Sequence, residues 1–267
     1  MKLKMAVVGK DVSKSLSPRM HTFILKKLNV ECTYDKISID IEDFDSKFKE
    51  ILEEYDTLNV TIPYKLDCMK YLDHILDDAK TFGAVNTICC KKKSGYNTDG
   101  MGFMLMLLNG GIDVKGKKVL VLGSGGVGRS VIKKLMEEEA EVFAFDLNQE
   151  GLKAVYEEFK GFTPLSELKL DHYDCIINCT GVGMHKTVGK SPIGEEFFKG
   201  AEAAVDLIYE PKESEFLRLA RINGLKTLNG EAMLFYQAYY ADCYFLDLKM
   251  DSKLAKNLFL EFQKIQK

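Results

Sequence analysis

The stretch KVLVLGSGGVGRS, residues 118–130, constrains this chain more than any other. Its apolar start reads as a strand, KVLVLG, and its end opens a helical pattern, GVGRSVIKKLMEEE, over 126–139. Between them Gly123, Gly125 and Gly128 keep a G-x-G-x-x-G spacing, with Gly126 beside them. A second strand, EVFAFD, ends at Asp146, 18 positions after Gly128. Strand, glycine turn, helix, second strand and terminal carboxylate are together the context of a dinucleotide-binding βαβ unit. The glycines let backbone approach a pyrophosphate, and the helix N-terminus offers it free N–H groups and a positive dipole end. A glycine turn without a ligand is the competing reading, and the acidic residue in place at 146 argues against it. A carboxylate there accepts hydrogen bonds from an adenosine ribose 2′-OH and repels a 2′-phosphate. Leu147 and Asn148 follow, with no Arg or Lys before Lys153, so the local sequence favours NAD over NADP.

Around this unit, strand-like runs alternate with helical patterns, which predicts an α/β fold with largely parallel sheets. Toward the N-terminus the strands are LKMAVVG, CTYDKISI, LNVTIP and AVNTICC. Helices are expected at SPRMHTFILKKLN, with Ser17 as N-cap and Pro18 at the first helical position, and at DFDSKFKEILEEY. A domain boundary is expected along 99–117, where an apolar helix gives way to the turn-rich GGIDVKGK. Beyond EVFAFD come a helix over 149–160 and the strands DCIINCT and AAVDLIY. The closing segments GEAMLFYQAYYADCYFL and SKLAKNLFLEFQKIQ read as a buried helix and an amphipathic one. If they cross back, the first domain is discontinuous, with a cleft at the junction. The expected division is 1–102 plus 238–267 for a substrate domain and 103–237 for a Rossmann-type dinucleotide-binding domain.

Composition narrows the partners. A net charge of -3 gathers neither nucleic acid nor an anionic membrane, which leaves small molecules. The apolar runs fall far short of the roughly 20 residues of a membrane helix, and MKLKMAVVGK reads as a first strand rather than a signal peptide. Seven cysteines without a Cys-x-x-Cys pair suit reduced thiols in a cytoplasmic protein. His172 near Cys175 and Cys179 sits by a strand rather than a ligand loop, so no metal site is expected.

Polar residues then cluster where strands end. In LNVTIPYK, Asn59 and Thr61 share a strand face, and Lys65 follows the Pro63 break. NTDG places Asp99 at the start of the next helix, and SKSLSP presents Ser15 and Ser17 together. Buried polar groups need partners, supplied by the protein or by a ligand. Two serines, two asparagines, a threonine, a lysine and an aspartate suit a polyol-acid pocket, with a Lys–Asp pair to move a proton.

The blocks SKSLSPRMH, NVTIPYK, GAVNTI, NTDG, GSGGVGRS, INCTGVGM, DLIYEP and NGEAMLFYQA, in this order, resemble the shikimate dehydrogenase family along almost the whole chain. The resemblance implies reduction of 3-dehydroshikimate to shikimate with a nicotinamide nucleotide, on a two-domain α/β fold. It implies Lys65 and Asp99 as the catalytic pair and Ser15 and Ser17 on the substrate carboxylate. Asn59, Thr61, Asn86 and Gln237 would bind ring hydroxyls or orient the pocket, and Tyr209 would reach the substrate from the nucleotide side. Thr180, Gly183, Met184 and Gly230 would line the nicotinamide pocket. A metal is not required, because the nicotinamide carries the redox step. Many members carry Asn-Arg-Thr where this chain has Asp146-Leu147-Asn148, and that Arg serves the 2′-phosphate of NADP. The family therefore implies NADP where the local residues favour NAD. Lys14 stands where a histidine is frequent. The alternatives are an NAD-dependent quinate or dual quinate/shikimate dehydrogenase, and a non-catalytic nucleotide-binding regulator, which the presence of both Lys65 and Asp99 argues against. The protein is expected to be a monomer or homodimer.

Overall fold

A computed structural model describes residues 2–265 of the chain. It contains two compact units, Met1–Gly102 with Phe235–Lys267, and Phe103–Leu234. The expected closing helix runs to Gln266, which lies outside the described residues, as do Met1 and Lys267 of the expected substrate domain.

In the first unit the elements run β1 (Leu3–Gly9), α1 (Ser17–Lys27), β2 (Cys32–Ser38), α2 (Phe44–Glu54), β3 (Thr57–Val60), β4 (His74–Ile75), α3 (Asp77–Phe82), β5 (Thr87–Cys89) and β6 (Ser94–Tyr96). Among the described residues they build a six-stranded sheet in the order β2-β1-β3-β5-β6-β4. β1 lies parallel to both β2 and β3, whereas β3–β5 and β5–β6 pair antiparallel. Among the described residues the antiparallel pairings are confined to β5, and the other pairings of both sheets are parallel, as expected. The β5–β6 reversal has a local cause: the two strands are joined across 90–93, too short a link for a parallel crossover. One face is closed by Phe44, Phe48 and Ile51 of α2 over Ala6, Val8, Leu58 and Ile88.

The chain continues through α4 (Asp99–Gly110), β7 (Lys118–Leu122), α5 (Gly126–Glu137), β8 (Glu141–Phe145), α6 (Gln149–Phe159), β9 (Thr163–Leu165), β10 (Cys175–Asn178), β11 (Ala203–Asp206), α7 (Glu215–Ile222) and β12 (Lys226–Asn229). The sheet of the second unit is parallel throughout, ordered β12-β11-β10-β7-β8-β9. That is the doubly wound order, and ligands of such sheets bind beyond the carboxyl ends of the strands where the order reverses. The reversal falls between β7 and β10, whose ends Leu122 and Asn178 lie side by side in register. Val119, Leu120, Val121 and Leu122 are all buried, as an inner parallel strand covered on both faces requires.

α8 (Glu231–Phe245) and α9 (Ser252–Lys264) complete the chain, and the unit division falls inside α4 and α8. Both closing helices return to the first unit. Phe235 of α8 and Phe262 of α9 have ring centroids 5.1 Å apart, and Phe23 of α1 lies 6.3 Å from Phe235 and 5.3 Å from Phe262. Such tilted aromatic contacts add to the area they bury.

Candidate active site

Helix α1 begins at Ser17, with Leu16 as its N-cap and Pro18 in its first turn, one position off the expected cap. The difference frees the Ser17 hydroxyl. Ser15 Oγ takes over the capping task, accepting from Ser17 N–H at 3.2 Å while donating to Ser17 Oγ at 3.1 Å. The two hydroxyls are thus paired and half-buried.

Strand β3 ends at Val60, two residues short of Ile62, because the β1 ladder closes at the Val8–Val60 pair. Thr61 follows, its N–H given to Val8 O. Asn59 is buried, with Oδ1 accepting from Tyr34 OH at 2.7 Å and Nδ2 donating to Asn86 O at 3.4 Å. The Tyr34 phenol is half-buried; desolvation and the Asp242 charge push it well above its ordinary pKa, against a hydrogen bond with Ser17. Tyr34 therefore keeps its proton and remains a donor to Asn59.

Lys65 Nζ reaches Asp99 Oδ2 at 2.6 Å, with the lysine side chain 22% exposed and the carboxylate 12%. Asp99 opens α4, and its N–H donates to Asn97 Oδ1. Asn86 Nδ2 donates to Asp99 Oδ1 at 2.9 Å, while Asn86 Oδ1 accepts from Thr98 N–H and Thr87 Oγ1. Thr98 Oγ1 donates to Gln237 Oε1 of α8 at 3.3 Å. One network thus brings Lys65, Asp99, Asn86, Asn59 and Gln237 together. The roles of Tyr34, Thr87 and Thr98 escaped the sequence reading. For Thr98 the signal was present, since it lies inside the NTDG block.

In the second unit, Gly123, Ser124 and Gly125 form the turn from β7 to α5, with Gly126 and Gly128 in the first turn of the helix. A Cβ on Gly128 would stand 2.1 Å from Gly123 O, so only glycine lets the helix start this close to the strand. At Gly125 and Gly126 an added Cβ would meet nothing within 4 Å, which leaves room over the N–H groups of the first helical turn. Asp146 follows β8. Its Oδ2 accepts from Ser124 N–H at 2.6 Å and Ser124 Oγ at 2.9 Å, and its Oδ1 from Asn148 N–H at 2.8 Å. Burial raises this carboxyl, but the three bonds outweigh it and hold the pKa below the ordinary value.

Thr180 follows β10, with Gly183 and Met184 in the same loop; Gly230 lies between β12 and α8. Gly230 is pressed against the β11 loop, where a Cβ would come within 2.0 Å of Leu207 O. Tyr209, in the loop after β11, is 36% exposed. All seven cysteines are free thiols, and His172 pairs with Asp174. Among the described residues, no three His, Cys, Asp or Glu side chains could hold a metal ion, and no helix is long and apolar enough to cross a membrane.

Known proteins match this arrangement. Residues 7–88 fit the shikimate dehydrogenase substrate binding domain, and residues 94–174 fit the alanine dehydrogenase/PNT C-terminal domain. The shikimate dehydrogenase (NADP(+)) of Clostridium beijerinckii is 34% identical over 264 residues, spanning 96% of this chain and 97% of that protein. Its counterpart from Thermus thermophilus is 37% identical over 241 residues, 90% of each chain. A crystal structure of shikimate 5-dehydrogenase from Thermus thermophilus in complex with NADP(H) and shikimate matches with a TM-score of 0.88 at 34% identity, over 97% of this chain and 99% of that one. A chorismate mutase/shikimate 5-dehydrogenase fusion protein from Clostridium acetobutylicum matches with a TM-score of 0.89 at 33% identity, over 100% of both chains.

Proposed function

The chain belongs to the shikimate dehydrogenase family, and on that premise we propose that it interconverts 3-dehydroshikimate and shikimate with a nicotinamide dinucleotide. The observation that carries this reading is the Lys65–Asp99 pair at 2.6 Å, braced by Asn86. In reduction, the ketone oxygen gathers charge as its carbon accepts hydride. Lys65 Nζ is the cation that stabilises and then protonates that oxygen. Asp99 holds the ammonium with one carboxylate oxygen while Asn86 grips the other, so the lysine is aimed by a fixed support. The paired hydroxyls of Ser15 and Ser17 suit the substrate carboxylate. Asn59, Thr61, Asn86 and Gln237 suit the ring hydroxyls, since amides and hydroxyls both donate and accept.

The glycine turn fits a dinucleotide: the Gly128 contact brings the helix N-terminus up to the strand, and the space at Gly125 and Gly126 admits a pyrophosphate. When bound, the nicotinamide supplies the hydride chemistry. Thr180, Gly183, Met184 and Gly230 are the residues proposed for its ring side. We further propose NAD as the preferred nucleotide, although the relatives above are NADP enzymes by name. A carboxylate offers about four acceptor positions, and Asp146 uses three on Ser124 and Asn148, which leaves one for a ribose hydroxyl. Its charge opposes a 2′-phosphate, and Leu147 and Asn148 bring no cation to offset it.

Initial rates of nicotinamide reduction, with shikimate or quinate each paired with NAD or NADP, test the reading. Shikimate with NAD is expected to be the fastest combination. Turnover with shikimate and NADP alone would overturn the nucleotide assignment and keep the reaction. Quinate as the better substrate would replace the proposed substrate, and no turnover in any pairing would remove the enzyme reading.

A further inference from the structure

Asp206 ends β11 and is fully buried, yet none of the chemistry above uses it. Its Oδ1 accepts from Asn178 Nδ2 at 3.0 Å and from Ile208 N–H at 3.0 Å, and its Oδ2 accepts from Ser214 Oγ. These donors come from different places: the end of β10, the loop after β11, and the N-cap of α7. Asn178 and Asp206 face each other in register at the ends of neighbouring strands. Their contact has a direction. With Nδ2 turned to Asp206, Asn178 Oδ1 is left to accept from Thr180 N–H at 3.0 Å and Thr180 Oγ1 at 2.6 Å. Thr180 Oγ1 then accepts from Val182 N–H at 3.1 Å, and Asn178 Nδ2 also reaches Val182 O at 3.3 Å. The conformation of 178–182 is thus tied to which way one amide points, and Asp206 is the charged acceptor that favours this orientation, with Val182 O beside it.

We propose that Asp206 is a positioning residue that shapes the nicotinamide side of the cofactor site by fixing the Asn178 amide and, through it, the loop carrying Thr180, Gly183 and Met184. This rests on the function proposed above, in which that loop meets the nicotinamide. The carboxylate suits the task because it only accepts. An amide in its place is neutral and has a single accepting oxygen, so its hold on Asn178 Nδ2 is weaker and a flip of Asn178 costs less. The flipped amide would turn its N–H groups toward Thr180 N–H, and the loop would lose its anchor. Burial, against the bonds from Ser214, Ile208 and Asn178, also pushes the Asp206 pKa up to about 6, as expected for a carboxylate held in the interior for its geometry.

Binding of two probes to Asp206→Asn separates positioning from general stability. NADH or NADPH contacts the whole site, whereas ADP-ribose has the adenosine and pyrophosphate but lacks the nicotinamide. We expect the dinucleotide to bind about tenfold more weakly, the equivalent of one lost charged hydrogen bond, with ADP-ribose unchanged within about twofold. Asn178→Ala, which deletes the amide itself and leaves Asp206 its Ile208 and Ser214 donors, is expected to weaken the dinucleotide by about tenfold on the same scale, again sparing ADP-ribose. It keeps the test open if Asp206→Asn does not fold. Equal loss of both probes, or no loss of either, would overturn the assignment. Parent protein that binds neither NADH nor NADPH would instead overturn the function on which the assignment rests.

Discussion

Lys65 carries the heaviest load of any single residue in the proposed reaction, and its surroundings say how. It is partly buried, paired with a carboxylate that is itself gripped by Asn86, and so differs from the exposed lysine pairs on the surface such as Lys92–Asp247. Exposed pairs of that kind contribute little. Replacing Lys65 by Ala should lower kcat by about 10²- to 10⁴-fold, the range for a lost general acid, with the dinucleotide Kd unchanged. Near-parent turnover in that variant would take Lys65 out of the mechanism. Lys65 and Asn59 were legible because a polar group just after or within the apolar run 58–63 needs a reason, and Asp99 because it stands at the start of a helix. Tyr34 and Asp206 were not. A tyrosine in an alternating strand and an aspartate closing an apolar one read as ordinary packing and an ordinary strand end until their partners, distant in sequence, are in place.

Among the elements, the long periodic ones were plain and the short ones silent. β7, α5 and β8 follow from residues 118–145 alone, since apolar run, glycine turn and amphipathic helix are all local. β4, β9 and β12 span only two to four residues, and their pairing partners supply the reason they are strands at all. α7 carried a signal that the sequence reading passed over: Ser214 accepts from Leu217 N–H as an N-cap. α9 is capped by Asp251, whose Oδ1 accepts from Lys253 N–H at 2.9 Å and Leu254 N–H at 3.0 Å. Asp251→Ala should therefore lower stability by about 1 kcal/mol. Urea unfolding would show this as a reduced midpoint with unchanged slope. Turnover should be retained, as the cap lies outside the proposed site; a lost midpoint together with lost turnover would contradict that placement.

At the scale of the whole molecule, the proposed roles divide between the two units. Ser15, Ser17, Asn59, Thr61, Lys65, Asn86, Asp99 and Gln237 belong to the first, and the glycine turn, Asp146 and the Thr180 loop to the second. Hydrogen exchange should show that division directly, because binding stabilises what it touches. Shikimate is expected to slow exchange over 15–17, 59–65 and 86–99, and the dinucleotide over 123–128, 146–148 and 178–184. Protection of the second unit alone by shikimate would contradict the assignment of the first as the substrate domain.

The sequence by itself determined the dinucleotide unit, the two-domain α/β class and most of the polar residues proposed for the site. Each of those rests on signals a few residues apart: a glycine spacing, a strand period, a block order. Tertiary structure decided the brace from Asn86 to Asp99 and the hold of Asp206 on Asn178. The physical reason is the same in each case. Hydrogen bonds between residues 13 to 28 positions apart, like strand pairings, form only once folding has brought their elements side by side, and no local pattern encodes them.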